Sequence, residues 1–376
     1  MHKTEFNFFD YLSWRGDLTF ENDPFNEIDG LILCALVYLN FDGILTEDFH
    51  QKKSLSQVAD EFENLSDYKQ RCFLGAMISK ETPRLLQECA VSRRFSHLMT
   101  TGYKVVFDKD SEEQFGALTF ILDDKKNTRI VVFRGTDDSV TGWKEDFNLA
   151  FKSEIPSQLH ALEYLENAYK VFHGQFIITG HSKGGNIAVY SAMNVRKWFF
   201  GKIQTVYNYD GPGFSADVIK SQKFASIKEK IRTFYPSFCI IGSLFCHDDN
   251  FTIISSSANT FMQHDPFSWN VEKKSFVKAK DFSKQSLLIS DVSNKWITQL
   301  QGDEKERFID TFFGIVNSTG ETCINGLVKN IVSTGTKVVA SMAKLPSDQR
   351  RQFTSMFKLF KQFCMEGLPL FNKNKN

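Results

Sequence analysis

The sequence predicts an α/β fold built on a mostly parallel sheet, and three observations predict it. Short β-branched or aromatic runs recur between polar turns; beyond Asp146 such runs alternate with helical periodicity; and one run leads through a glycine-flanked serine directly into a helix.

Taken in order, the first hundred residues read as mainly helical. Asp29–Asn40 (DGLILCALVYLN) is a buried helix candidate, and Leu65–Ser79 is a more amphipathic one. From Tyr103 the pattern changes, and YKVVF, FGALTFIL and RIVVFRG read as successive strands separated by DKDSEEQ and DDKKNT. Then come a helix over Gln158–Phe172, a strand Gln175–Thr179, a helix from Gly184 to Trp198 and a strand Ile203–Tyr209. A helix over Ala216–Lys230 and strands near Ile231–Tyr235 and Phe251–Ser255 complete the alternation. No strand is predicted after about Val271, and Phe282–Lys344 reads as helical. The chain is therefore expected to divide into a catalytic unit, residues 1–270, that includes the N-terminal helices, and a C-terminal helical region, residues 271–376. Within the latter, Gln349–Cys364 gathers Phe353, Met356, Phe357, Phe360 and Phe363 on one helical face, with Arg350, Arg351, Lys358 and Lys361 mostly elsewhere. Such a helix docks on its own protein or makes peripheral membrane contact.

Across 376 residues, 45 basic and 45 acidic side chains cancel, so no net field draws the chain to nucleic acid, and nucleic-acid binding is not expected. The seven cysteines form no CxxC pair and no metal-ligand spacing, and read as reduced thiols of a cytoplasmic protein. The N-terminus MHKTEFNFFDYLSWRGD lacks the uninterrupted apolar run of an export signal. Leu31–Leu39 and Phe238–Phe245 are far shorter than the roughly 20 residues that span a bilayer. Nothing in the pattern indicates an oligomeric state.

Gly180-His181-Ser182-Lys183-Gly184 is a G-x-S-x-G between the strand QFIIT and the helix GGNIAVYSAMNV. This setting is that of a nucleophile elbow, in which small residues let the backbone fold back and the serine projects from the turn. It makes the expected fold an α/β-hydrolase fold with Ser182 as nucleophile. A serine hydroxyl needs a histidine base and a carboxylate to orient it, in the chain order Ser, acid, His. Only His247 and His264 follow Ser182, and His264 is the expected base because its loop follows the last predicted strand. Asp265 and Pro266 then shape its turn. Asp210, at the carboxyl end of Ile203–Tyr209, is the expected acid. Asp248 and Asp249 are alternatives placed near the amino end of their strand. The oxyanion of acyl transfer needs aimed donors. The backbone N–H of Lys183 is one, and the loop Arg134-Gly135-Thr136-Asp137-Asp138 supplies the other through Thr136.

VVFRGTDDSVTGWKEDFN and TGHSKGGNIA resemble the oxyanion segment and nucleophile elbow of the fungal-type, class 3 lipases, over roughly Tyr103–Trp269, with Arg134, Trp143 and Asp146 at matching positions. The N-terminal helices and the tail resemble instead an uncharacterised bacterial family of lipase-like proteins. The resemblance implies that Thr136 supplies the oxyanion hole and that Arg134 pairs with Asp146. Two departures stand out. Class 3 lipases carry an apolar residue where this chain has Lys183, which implies either an anionic substrate or a pair with Asp137 or Asp138. Their acid follows the next strand, near Phe234–Ile240, where this chain offers Ser237 and no carboxylate, so the acid moves to Asp210.

The expected activity is hydrolysis of a carboxylic ester, of a lipid or another small molecule, through an acyl-enzyme on Ser182, with no metal or organic cofactor. The alternative is a scaffold that keeps the fold without the chemistry.

Overall fold

The computed structural model describes residues 5–75, 78–122, 127–299 and 304–323, together with 337, 340–347, 350, 351 and 354. The basic segment Gln349–Cys364 lies outside the described residues apart from 350, 351 and 354. Among the described residues no helix is long and apolar enough to cross a membrane.

The elements run α1 (Phe8–Arg15), α2 (Glu27–Leu36), β1 (Lys53–Ser54), α3 (Leu55–Glu63), α4 (Tyr68–Arg71), α5 (Thr82–Val91), β2 (Met99–Asp108), β3 (Glu113–Ile121), β4 (Thr128–Phe133), α6 (Val140–Asn148) and α7 (Pro156–Phe172). They continue β5 (Gln175–His181), α8 (Lys183–Asn194), α9 (Lys197–Phe200), β6 (Ile203–Tyr209), α10 (Ala216–Ile219), α11 (Gln222–Ile227), β7 (Ile231–Pro236), β8 (Phe251–Ile254), the hairpin β9 (Val271–Glu272) and β10 (Ser275–Phe276), α12 (Lys284–Gln299) and α13 (Glu304–Ser318). Strands β1 to β8 form one sheet in chain order. The pairs from β1 to β4 are antiparallel, and those from β4 to β8 are parallel. With helices on both faces this is an α/β-hydrolase fold.

Both faces of the sheet are buried because side chains alternate along each strand. In β4, Ile130 and Val132 join one core while Val131 and Phe133 join the other. The first core takes Ile28, Leu31 and Ile32 of α2, Val58 and Phe62 of α3, and Leu85 and Leu86 of α5. The second takes Ala161 and Leu165 of α7, Ile187 and Ala188 of α8, and Phe224 of α11. The N-terminal helices are thus a covering layer of the sheet. The first core also holds Trp269, Val271 and Phe276, so it runs past residue 270 into a hairpin that strand periodicity did not predict.

Three helices differ from expectation for local reasons. Leu65–Ser79 yields only α4 among its described residues, which closes at Cys72 before the chain turns left-handed at Gly75, φ +87°. The helix from Gly184 breaks where Val195 becomes extended, and restarts as α9. Ala216–Lys230 splits because Ser215 and Ser221 each cap a fresh helix, accepting from Val218 N–H and Phe224 N–H.

A buried ion pair ties the N-terminal layer together. Arg94 reaches both Asp29 oxygens at 2.7 and 2.5 Å, with both side chains fully inaccessible, and donates to the Asp23 carbonyl at 3.0 Å. Tyr11 also donates to Asp29, at 2.8 Å. Removing one partner strands the other charge, so Arg94→Met is expected to lower unfolding free energy by about 3–5 kcal/mol. Urea denaturation measures this, and a loss below about 1 kcal/mol contradicts it.

Candidate active site

Strand β5 runs into Ser182, whose φ of 58° and ψ of −133° no ordinary L residue favours. The turn is held by Ser182 N–H donating to the Tyr209 carbonyl at 2.9 Å. Its tightness requires glycine: a Cβ on Gly180 would lie 2.0 Å from the Gly184 carbonyl oxygen, and one on Gly184 would lie 2.2 Å from that of Phe133. Ser182 therefore opens α8 at the carboxyl edge of the parallel sheet.

Asp210 follows the neighbouring strand β6, also at positive φ (51°), and is 1% exposed. Its Oδ2 lies 2.6 Å from His264 Nδ1. A carboxylate here accepts, so Nδ1 carries the proton and Nε2 is left as an acceptor. His264 ends a short 3₁₀ turn, Thr260–His264, in the loop after β8, and Asp265 caps the next turn by accepting from Phe267 N–H at 3.1 Å. The structure thus brings Asp210 and His264 into contact across 54 positions, and places Ser182 and His264 on one cavity. His247 and Asp248 are not part of this cluster. His247 Nδ1 bonds the Tyr235 hydroxyl at 2.8 Å, and Asp248 pairs with Lys228 at 2.6 Å.

Several supporting residues escaped the sequence reading. Cys239 Sγ and the Gly242 N–H donate to Asp210 Oδ1 at 2.9 and 3.2 Å. Cys239 occupies the stretch Phe234–Ile240 that lacked a carboxylate, so that stretch supports Asp210 instead of supplying a carboxylate. Burial pushes the Cys239 thiol well above its usual range, which keeps it a donor. Its loop is tied to α12, because Ser286 Oγ donates to the Cys239 carbonyl at 2.6 Å and accepts from its N–H at 3.0 Å. His181 is held neutral by burial. Its Nε2–H donates to the His264 carbonyl at 2.9 Å, which steadies His264 from behind.

The loop after β4 approaches the elbow closely: a Cβ on Gly135 would lie 2.5 Å from the His181 carbonyl oxygen and 3.1 Å from Ser182 Cβ. Thr136 lines the cavity, and its hydroxyl donates to Asp146 Oδ2 at 2.5 Å. Burial raises the Asp146 carboxyl to about 6. Arg134 does not pair with Asp146; it lies 3.9 Å from Asp137. The hydroxyl of Thr136 takes the partnership that the arginine was expected to fill.

The Lys183 side chain points neither into the site nor towards Asp137 or Asp138. It is buried beneath the elbow, with Nζ 2.6 Å from Glu145 Oε2, 2.6 Å from the Gln114 carbonyl and 3.2 Å from Gln114 Oε1. Glu145 also accepts from Ser157 N–H and Oγ at 3.0 and 2.8 Å, and from Gln114 N–H at 3.1 Å. The ammonium is held by three internal acceptor contacts, so the expectation of an anionic substrate falls. The sequence signal was the lysine itself, since a charge on the first turn of a buried helix demands a partner.

Above these residues is a cavity of about 370 Å³. Ile240, Leu244 and Phe245 of the loop after β7, Phe147 of α6, and Phe308 and Ile309 of α13 make most of its lining apolar. Helix α13 covers it by packing Ile309 and Phe313 against Val140, with Trp143 beside them.

Residues 89–314, well over half of the chain, match the Mbeg1-like family. The chain belongs to that family. No curated protein matches it in sequence. Among solved structures, this Mbeg1-like chain is similar to a mutant form of MDLA from Penicillium cyclopium, at 10% identity over 67% of this chain and 84% of that one, with a TM-score of 0.38. It is also similar to the Rhizomucor miehei lipase–propeptide complex (15% identity, 56% and 73% covered, TM-score 0.31). A third is a triacylglycerol lipase from Penicillium expansum (14%, 50% and 76%, 0.32). Superpositions this loose say nothing about chemistry, which rests on the residues of this Mbeg1-like chain.

Two outcomes follow from the buried groups. Lys183→Met should lower stability by about 3–5 kcal/mol by stranding Glu145, and Lys183→Met with Glu145→Gln should regain part of it. Neither change should alter preference between neutral and anionic esters; a shifted preference in matched kcat/KM measurements would place the ammonium in the site. His247 is pushed down to about 4 by burial. Its folded value lies below the unfolded value of about 6.5, so its contribution is intact above 6.5 and is lost as pH falls towards 4. Denaturation midpoints of His247→Gln should therefore vary less with pH across that window than those of the parent. Equal pH dependence in both proteins contradicts this.

Proposed function

We propose that this chain is a serine esterase that hydrolyses a carboxylic ester, of a lipid or another small apolar acyl compound, through an acyl-enzyme on Ser182. The observation that carries the reading is the Asp210–His264 pair, 2.6 Å apart, on the same cavity as the strained Ser182. In this reading Asp210 fixes the tautomer of His264, and its Nε2 removes the Ser182 hydroxyl proton as Oγ attacks the ester carbonyl. The backbone N–H groups of Thr136 and Lys183 stabilise the oxyanion. His264 then protonates the departing alcohol, and a water repeats the sequence to release the acid. No cofactor takes part.

The apolar lining suits a hydrocarbon chain. A cavity of about 150 Å³ holds a benzene ring, so 370 Å³ admits an acyl group well beyond acetyl. Helices α12 and α13 act here as a cover: α13 roofs the cavity and α12 braces the loop that supports Asp210. A reducing, cytoplasmic setting is part of the reading, supported by six described cysteines that are free thiols.

A fluorophosphonate probe should label the protein and fail to label Ser182→Ala. Esterase activity of His264→Ala should fall about as far as that of Ser182→Ala, as in one catalytic unit, and Asp210→Asn should reduce kcat by up to about 10⁴. Asp248→Asn should keep nearly full rate. Absence of labelling in well-folded protein favours the scaffold alternative, and a full-rate Asp210→Asn removes that residue from the triad.

A further inference from the structure

The cavity has a polar spot that the hydrolytic reading leaves unused. On α6, Trp143 and Asp146 are three positions apart, so they share a helical face, and both line the cavity that holds Ser182 and His264. Asp146 Oδ2 is occupied by the Thr136 hydroxyl. Its Oδ1 and the Trp143 Nε1–H are buried without a hydrogen-bond partner among the described residues. A buried donor and a buried acceptor left open on one helical face are costly unless something fills them.

We propose that this pair is a recognition site for a free hydroxyl on the alcohol part of the substrate, so that the enzyme prefers hydroxyl-bearing esters over plain alkyl esters. The inference rests on the esterase reading and narrows it to a substrate class. The choice follows from donor and acceptor counts. A hydroxyl donates to the Asp146 carboxylate and accepts from the Trp143 indole with one oxygen. An ammonium cannot accept from the indole, an ether oxygen cannot donate to the carboxylate, and a phosphate or carboxylate is repelled by it. Much of the remaining lining, including Ile241, Leu244 and Phe308, is apolar and suits the acyl chain, which leaves the polar pair beside Thr136 for the alcohol.

The test compares 2-hydroxyethyl octanoate with propyl octanoate, which match in size. The parent enzyme should favour the hydroxyl ester in kcat/KM by on the order of tenfold or more, because a site built to bond a hydroxyl rejects the analogue lacking it. Trp143→Phe keeps a ring but removes the donor, and should bring the ratio within about threefold of unity. Calorimetric titration of Ser182→Ala with the same two esters gives a second reading that needs no turnover and leaves Trp143 intact, with tighter binding of the hydroxyl ester expected. A parental ratio near one, an unchanged ratio in Trp143→Phe, or equal binding to Ser182→Ala overturns the proposal. If the parent hydrolyses neither ester, the esterase reading fails separately, and the titration alone decides whether the polar spot takes a hydroxyl.

Discussion

The ion pair between Lys183 and Glu145 is the contact on which the site's architecture depends. It lies directly under Ser182 and joins four elements: Lys183 starts α8, Glu145 sits on α6, Gln114 is on β3 and Ser157 opens α7. Two charges fully removed from water are tolerable only when every lone pair and proton finds a partner. Here the ammonium has three acceptor contacts, and the carboxylate accepts from the lysine, a hydroxyl and two backbone N–H groups. The consequence is positional. Helix α6, which carries Trp143 and Asp146 to the cavity, cannot shift relative to the elbow without stranding a buried charge.

Backbone strain sets the rest of the constellation. Ser182 and Asp210 both adopt positive φ, which costs on the order of 1–3 kcal/mol for a non-glycine residue. Adjacent parallel strands hold them: Ser182 N–H bonds Tyr209 at the end of β6, and Asp210 N–H bonds Phe234 of β7 at 2.9 Å. The sheet thereby fixes the spacing between Ser182 and Asp210. His264, on a longer loop, is positioned from two sides, by Asp210 at its ring and by His181 at its backbone.

The C-terminal helices take part in the site from a distance in sequence. Ser286 on α12 clamps Cys239, whose thiol supports Asp210, while Phe308 and Ile309 of α13 close the apolar cavity. Removing these helices would expose the apolar lining and loosen the loop that supports Asp210. That support comes from the place where a carboxylate was expected and not found, with Cys239 and Gly242 converging on Asp210 Oδ1.

Much of this was legible in the sequence because its causes are local. Alternating apolar runs fixed β2 to β8, the glycines at 180 and 184 permitted the sharp turn at Ser182, and the Gly-Pro-Gly after Asp210 marked a strand end at which a carboxylate could be presented. The order of serine, aspartate and histidine narrowed the base to two histidines. The loop after the last strand favoured His264 over His247, and packing then sets one against Asp210 and the other against Tyr235. Packing also decided the fate of Lys183. Side-chain charge is visible in a sequence, but its direction is not. A four-carbon stem at the start of α8 could reach the cavity or the interior, and Glu145, 38 positions earlier, drew it inward. The same holds for Arg134, Cys239 and the open polar atoms of Trp143 and Asp146. Their partners, or the lack of them among the described residues, arise from contacts between separate elements that no local pattern encodes.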